Sequence, residues 1–470
     1  MGMITGIGLQ RWATEEIKDV NLGDVRLNNR LIGLLDVLSN KPEKSIPSNC
    51  NSWNETKAAY RFFDNAKVTP DKILDSHFSA TLERIKEEKV VLCLQDTTDI
   101  DFSRRATIEG LGYTGNTKQE HLQGFFLHPT IAVTPDRLCL GVLQSQMWVR
   151  KEKPVAKGKK PKNKNINEKE SNKWLKSFNE VKRLAKQSPD TLLVSISDRE
   201  SDIYEYFLEY DKSINNAHFI VRNNRNRKLA NSNKHIYEEV KSQKVLDKIE
   251  FILPEGRGRK SRRVTQEIRS ATVELRPAEG INSKANIQVN VVMASEINAP
   301  IGEDAIEWIL VTSLDVNDFE SAVTIVDYYL CRWQIEIYFK VIKSGCKLEE
   351  LQLEHIDRIQ NCLALYMIIA WRIMYTTMLG RVVPDMLCNN VFSDSEWKAV
   401  YMILHKKHPP QIPPTLNEMN KMIAQFGGFL NRRGDGEPGI KTMWIGLQRM
   451  RDFAIGIEIK QQINNIETYG

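Results

Sequence analysis

The sequence predicts an α/β chain with a sheet at its centre and helices at both ends. Three observations carry this. The runs "VVLCL" (Val90 to Leu94) and "TLLVSIS" are continuously apolar and each leads into a carboxylate, as buried central strands do. From about 240 to 315 the pattern switches to a period of two; in "ATVELRP", Ala271, Val273 and Leu275 alternate with Thr272, Glu274 and Arg276. The two ends of the chain carry helical spacing instead.

Taken in order, residues 1 to about 70 read as helical. "NLGDVRLNNRLIGLLDVLSN" is an amphipathic helix after a turn at Gly23-Asp24, and "NETKAAYRFFDN" is a second helical piece. The strand "VVLCL" then runs into "QDTTD". "HLQGFFLHPTIAV" and "LCLGVLQSQMWV" follow as strands joined by a turn at Pro135-Asp136. "KEKPVAKGKKPKNK", residues 151–164, holds seven Lys and one Glu and reads as an exposed basic loop. A helix at "NKWLKSFNEVKRLAKQ" precedes the strand that ends at Asp198, counted as the fourth, and a short helix leads to "HFIVR". The order so far is β-β-β-α-β-α-β. The period-two block sits beyond Arg222 as an insertion, and a helix follows it. "CLALYMIIAW" (Cys362 to Trp371) is too short to span a bilayer and reads as a buried helix. The last hundred or so residues return to helical patterns, interrupted by "HPPQIPP" (His408 to Pro414). The expected division is 1–70, 71–372 with its insertion at about 240–315, and 373–470.

Composition narrows the class. Lys and Arg number 66 against 60 acids, a net +6, which permits local basic patches but is not a histone-like tail. Seven cysteines are scattered without a C-x-x-C pair, and eight His are dispersed, so neither a zinc site nor a disulfide framework is expected. No basic region followed by an apolar run opens the chain, so no signal peptide is expected. A soluble protein of a reducing cytosol fits these features.

The chemistry concentrates in "YYLCRWQIEIYFKVIKSG", Tyr328 to Gly345. Tyr329, Arg332, Glu336, Lys340 and Lys343 fall within an arc of roughly 80° on a continuous helix. An apolar stripe of Val323, Val326, Leu330, Trp333, Ile337 and Val341 lies beside it. One carboxylate among three cations and a phenol is an odd solvated face. Asp96 ends the first central strand, Asp198 ends another, and Glu336 sits on the later helix. Three hard oxygen ligands with open positions suit Mg²⁺ and substrate phosphate oxygens. Singly, each has a plainer reading: a strand-end Asp often caps a turn, and Glu336 can pair with Lys340 four residues on. Together, in the order strand-Asp, strand-Asp, helix-Glu, they are far more specific. Asp99, Asp101, Glu200 and Asp202 read most simply as solvated or capping groups.

Tyr329, Arg332, Glu336 and Lys343 also match a Y-x2-R-x3-E-x6-K motif, and "QDTTD" and "SDRESDIY" resemble the two Asp motifs of the same enzymes. The chain resembles bacterial cut-and-paste DDE transposases of the IS-four-like group, of the Tn-five kind, from "LGDVRL" to "GGF" (Gly427 to Phe429) and beyond. The resemblance implies an RNase H-like catalytic core with a β-rich insertion, a helical N-terminal DNA-binding domain and a helical C-terminal dimerisation region. It implies two Mg²⁺ per site, with Mn²⁺ able to substitute, held by Asp96, Asp198 and Glu336. Tyr329, Arg332, Lys340 and Lys343 would grip the DNA. The implied reaction nicks each element end, forms and reopens a hairpin, and joins the 3′-OH ends to target DNA.

By the same resemblance, Trp308 would stack on a flipped base and Arg222 would contact the same DNA region. A helper Tyr of the insertion has no clear match, since "DKIEFILP" puts Lys248 or Ile249 nearby. Arg26, Arg30 and Arg61 would read or grip the element ends, with the family's paired Arg only half kept because Leu27 follows Arg26. "RNNRNRK" and "GRGRKSRR" read as phosphate grips. The partners implied are inverted-repeat ends, target DNA and a second copy of the chain, in a bacterial, nucleoid-associated setting. "MWIGLQRMRDFAIGIEI" (Met443 to Ile459), with Trp444, Leu447, Met450, Ile455 and Ile459 at helical spacing, is expected to be the dimer contact. Two other functions compete. A nuclease that cuts without joining is disfavoured by the N-terminal module and the C-terminal region. A non-catalytic DNA-binding regulator is disfavoured by the presence of all three carboxylates and the N-terminal arginines.

Overall fold

The computed structural model describes residues 11–105, 108–116, 118–119, 121–153, 165–210, 214, 216–253, 260–277 and 285–467. Most of the basic stretch 151–164 therefore lies outside the described residues. The N-terminal helices are α1 (Arg11–Glu16), α2 (Val25–Asn40), α3 (Ile46–Asn49) and α4 (Trp53–Phe63), followed by α5 (Pro70–Lys86). Five strands come next: β1 (Val90–Gln95), β2 (Thr98–Asp101), β3 (Gly112–Tyr113), β4 (Gln123–Val133) and β5 (Cys139–Trp148). Then follow α6 (Asn172–Ala185), β6 (Leu192–Ser197), α7 (Tyr204–Leu208), β7 (Ala217–Arg222) and α8 (Ile236–Ser242). The insertion supplies β8 (Asp247–Leu253), β9 (Arg262–Leu275), β10 (Ile287–Ile297) and β11 (Glu307–Thr312). Helices close the chain: α9 (Phe319–Leu330), α10 (Trp333–Lys340), α11 (Ile356–Val382), α12 (Asp394–His405), α13 (Leu416–Phe426) and α14 (Ile440–Glu467).

All eleven strands join one sheet. Ile131 of β4 faces Leu94 of β1 on one edge and Val142 of β5 on the other, so β5 and β1 flank β4. From there the sheet runs β1-β6-β7-β11-β10-β9-β8. The insertion is thus not a separate block: Leu310 and Thr312 of β11 pair with Arg222 and Ile220 of β7 and extend the central sheet. Short strands β2 and β3 intervene before β4, so the strand leading to Asp198 is the sixth and not the fourth.

The pleat assigns faces. Leu92, Leu94, Val194 and Ile196 belong to the core cluster shared with α9, α10 and α11, whereas Val91, Cys93 and Leu193 pack with Trp174 and Phe178 of α6. Between them, α11 is the post. Among the described residues it is the one helix long and apolar enough to cross a membrane, yet most of its apolar window is buried inside the protein. A helix apolar all round is a core element here. Trp371 Nε1 donates to the Cys139 carbonyl at 2.9 Å, and Tyr338 of α10 donates its hydroxyl to the Met367 carbonyl at 2.9 Å. Asn361 Nδ2 donates to the carbonyls of Phe63 (3.0 Å) and Val68 (3.2 Å), tying the N-terminal helices to the same post.

The C-terminal expectation needs correction. Trp444 and Met450, expected at a dimer face, are buried in their own chain, and Leu447 packs against the same cores. The cause is close helix approach: a Cβ on Gly446 would come within 2.1 Å of the Ile423 carbonyl oxygen, so glycine lets α14 lie directly on α13. Only the distal part of the helix stays open, with Ile459 43% and Ile463 50% exposed.

A buried charge cluster fastens α1 to the core. Glu16 accepts from Arg84 Nη1 (2.9 Å) and Nη2 (2.8 Å) and meets His77 Nδ1 at 2.5 Å. His77 Nε2 accepts the Val142 N–H at 3.0 Å, so the ring proton sits on Nδ1 and points at Glu16. Burial alone would raise the Glu16 carboxyl, but His77 and Arg84 hold it down at about 2. A carboxylate depressed from its unfolded value of 4.5 adds stability above that value and loses it as pH falls towards 2. Glu16→Gln should therefore destabilise by about 3 kcal/mol at pH 7, the scale of a broken buried pair. Thermal melts of variant and wild type should converge as pH falls below 4.5 towards 2. A gap that persists unchanged to low pH would contradict this role.

Candidate active site

Two parallel strands set the centre. Leu94 of β1 faces Ile196 of β6, so two residues further on Asp96 comes opposite Asp198, on the α10 face of the sheet. Each Asp spends one oxygen on its own turn. Asp96 Oδ1 accepts the Thr97 N–H at 2.7 Å, and Asp198 Oδ1 accepts the Glu200 N–H at 2.9 Å. Capping and active-site roles are therefore compatible, because a carboxylate has a second oxygen to offer. That of Asp96 meets Arg332, whose Nη1 donates to Asp96 Oδ2 at 2.7 Å while Nη2 donates to Glu336 Oε1 at 2.8 Å. Glu336 is thus linked to Asp96 through a guanidinium.

The electrostatics show how crowded the negative charge is. Burial, reinforced by the charge of Asp198, pushes the Asp96 carboxyl up to about 6 despite Arg332 and the Thr97 amide. Burial likewise raises Asp198. Among the described residues no three His, Cys, Asp or Glu side chains stand as a ready-made metal cage. Arg332 occupies one Glu336 oxygen and one Asp96 oxygen. The donor set nevertheless fits a divalent cation: hard carboxylate oxygens, net negative, already drawn around a positive group.

The helix expected to carry the motif is broken. α9 ends at Leu330, Cys331 and Arg332 form a turn, α10 follows, and Val341–Gly345 form a π-helical turn. The single polar arc is therefore divided. Tyr329 is buried beside Arg332, whose Cζ lies 6.0 Å from its ring centre, and Lys340 is exposed. Lys343 sits in the π turn with Nζ 3.7 Å from both Asp99 Oδ1 and Glu349 Oε1. Leu330 and Trp333 do not belong to a core stripe; Trp333 is 60% exposed.

They line a cavity of about 600 Å³ together with Arg222, Trp308, Tyr329 and Arg332. Arg137 and Arg381 also reach it. Trp308 stacks at 11° on Phe251, with ring centres 6.4 Å apart. Arg137 and Arg381 carried no signal in the sequence, and Trp333 reads there as part of the apolar stripe. Phe251 lies in the stretch "DKIEFILP" that offers no helper Tyr, and its ring contact with Trp308 joins β8 to β11, which are not neighbours in the sheet.

Arg30 and Arg61 line a second cavity, of about 640 Å³, with Arg26, Lys57 and Lys67. Arg26 is held by its own helix cap, Nη2 to Asp24 Oδ2 at 3.0 Å. Two basic stretches differ from expectation. Arg227 is paired with buried Asp202, which also accepts the N–H groups of Asn224 (2.6 Å) and Arg225 (2.7 Å). Asp202 is thus a buried loop anchor and no solvated group. In "GRGRKSRR", residues 256–259 lie outside the described residues. Arg262 pairs with Glu296 and Glu303 and is a structural cation, whereas Arg263 makes an exposed pair with Glu250.

The chain matches the family described as Transposase DDE domain over residues 111–372. It also matches Transposase DNA-binding over 9–68 and the Transposase Tn5 dimerisation domain over 368–465. Among solved structures, a cryo-EM structure of the piggyBac transposase synaptic complex with hairpin DNA aligns with 66% of this chain and 52% of that chain. Sequence identity there is 9% and the TM-score 0.31. This chain thus spans about half the length of that transposase. With a DNA-binding module before it and a dimerisation module behind it, the mixed α/β core is RNase H-like, and the chain belongs to the DDE transposase family.

Proposed function

We propose that the protein is a DNA transposase that binds the inverted-repeat ends of its own element, excises it, and joins the 3′-OH ends to target DNA. The observation that carries this reading is the grouping of Asp96, Asp198 and Glu336 about Arg332, whose side chain also lines a basic, aromatic-lined cavity. Asp96, Asp198 and Glu336 would hold divalent cations, Mg²⁺ in the cell with Mn²⁺ able to substitute. Two such ions supply activation of the attacking oxygen and neutralisation of the leaving one in an in-line displacement at phosphorus.

The chain's own residues do the rest. Arg332, Lys340 and Lys343 hold phosphates flanking the scissile one, with Tyr329 and Arg222 against the backbone in the cavity. Trp308, backed by Phe251, offers a face for an unstacked base during hairpin formation. Arg26, Arg30 and Arg61 grip the element end. The protein works as a dimer on DNA, each copy cutting one end, in the bacterial cytoplasm on nucleoid DNA. Because α14 spends its first half on its own core, the dimer contact falls to its open end at Ile459 and Ile463.

Asp96→Asn, Asp198→Asn and Glu336→Gln should each bring nicking of an element end below detection while leaving end binding intact. Wild-type cleavage by any of the three in Mg²⁺ would show that the carboxylates are misassigned. Trp308→Ala should allow the first nick and slow hairpin formation by about one to two decades, the value of a base–aromatic stack of roughly 1–3 kcal/mol. An unchanged ratio of hairpin to nicked product would remove the stacking role. Ile459→Glu combined with Ile463→Glu should keep single-end complexes and lose paired-end ones, read by gel mobility with two ends of different length. Persistence of the mixed paired complex would place dimerisation elsewhere. Joining of pre-cleaved ends to target separates a transposase from a nuclease that only cuts.

A further inference from the structure

We infer that a second groove takes the backbone phosphates of the DNA on the non-element side of the scissile bond; this rests on the transposase reading above. The groove, about 460 Å³, crosses edge strand β5 near its end, between the start of α6 and the starts of α5 and α11. Its cations are Lys169, Lys173 and Lys176, with Asn167 and Asn172 among them. Lys169 and Lys176 are exposed and form no ion pair among the described residues.

Lys173 connects the groove to the carboxylates. Its side chain is only 10% exposed, lies between the faces of Trp148 (5.5 Å) and Trp174 (5.3 Å), and reaches only Glu200, at a long 3.4 Å. Glu200 in turn donates its backbone N–H to Asp198 Oδ1 at 2.9 Å. Of the two acids that line it, Glu170 is held by a two-pronged contact with Arg150, which leaves Asp71 at the start of α5 against the three lysines. What remains is a mostly cationic, amide-lined track, the chemistry that holds phosphodiester backbone without reading bases.

Sheet order fixes which DNA it meets. Asp96 and Asp198 follow β1 and β6. Arg222 and Trp308, in the first cavity, lie on β7 and β11 to one side, whereas the groove lies on β5 to the other. A strand crossing the carboxylates must leave on both sides. If the element end occupies the first cavity, the other strand segment, donor flank during excision and target during joining, lies over Lys169, Lys173 and Lys176.

The test uses full-length protein carrying Lys169→Gln and Lys176→Gln, two surface changes away from the carboxylates. Binding without divalent cation is measured on two duplexes, one ending at the cleavage site and one continuing into flanking DNA. The variant should bind the flanked duplex about tenfold more weakly, with a salt slope smaller by about two, and the element-only duplex as wild type does. Joining of pre-cleaved ends to target should slow by about tenfold as well. Loss on the flanked duplex with normal joining assigns the groove to the donor flank, and the reverse assigns it to target. Equal loss on both duplexes, or no loss in any arm, overturns the proposal. Wild-type protein that fails to bind the element end would instead remove the transposase reading itself.

Discussion

Repulsion between carboxylates that the backbone forces together is the constraint on which this structure turns. A parallel β1–β6 register leaves Asp96 opposite Asp198, and α10 adds Glu336 from above the sheet. Nothing in the strands can relieve the repulsion; burial first, and the charge of Asp198 after it, push the Asp96 carboxyl up to about 6. The surrounding cations follow from this. Arg332 enters from the turn before α10, Lys173 from the start of α6, and Lys343 from the π turn, where it leans on Asp99 and Glu349. Each comes from a different element, so the balance of charge depends on the whole core being assembled.

That assembly is apolar work. α11 is buried along most of its length and hydrogen-bonds β5, α10 and the N-terminal helices. The Glu16 cluster adds a polar fastening between α1, α5 and β5. Because β11 pairs with β7, the insertion is rigidly part of the same sheet, and Trp308 lies two residues past the Leu310–Arg222 pair. The stacking role proposed for Trp308 needs that rigidity, since a misplacement of about 1 Å can cost about a hundredfold in rate.

Much of this was legible in the sequence, for definite reasons. Continuous apolar runs ending in Asp can hardly be anything but buried parallel strands, so Asp96 and Asp198 stood out, and alternation marked β9 and β10. What stayed hidden depends on contacts remote in sequence or on local breaks that periodicity cannot register. Val323 to Val341 keeps helical spacing straight through the turn at Cys331, which is why Trp333 looked like a core residue and proved exposed. Asp202 looked like a cap, but its partner Arg227 lies beyond an intervening helix and strand. Phe251 shows nothing until β8 is paired through β9 and β10 to β11. In α14 the apolar spacing reads as a dimer contact, whereas Trp444 and Met450 pack inside their own chain. The missing piece was Gly446, whose lack of a Cβ decides that the face meets α13 first.

Arg332 concentrates these lessons in one side chain. Lysine could not replace it: only a planar guanidinium can donate from separate nitrogens to Asp96 and Glu336 at 2.7 and 2.8 Å. Yet it brings a single positive charge to three carboxylates, so the cluster stays net negative with the arginine fully engaged. A buried pair of this kind is weak ground for stability, since desolvation takes back most of the Coulombic gain. Its value lies in position. From the N-cap of α10 it ties Glu336, one turn further on, to Asp96 at the end of β1. The Y-x2-R-x3-E spacing reads physically as about two turns of chain that place a phenol and a carboxylate either side of a guanidinium that reaches Asp96.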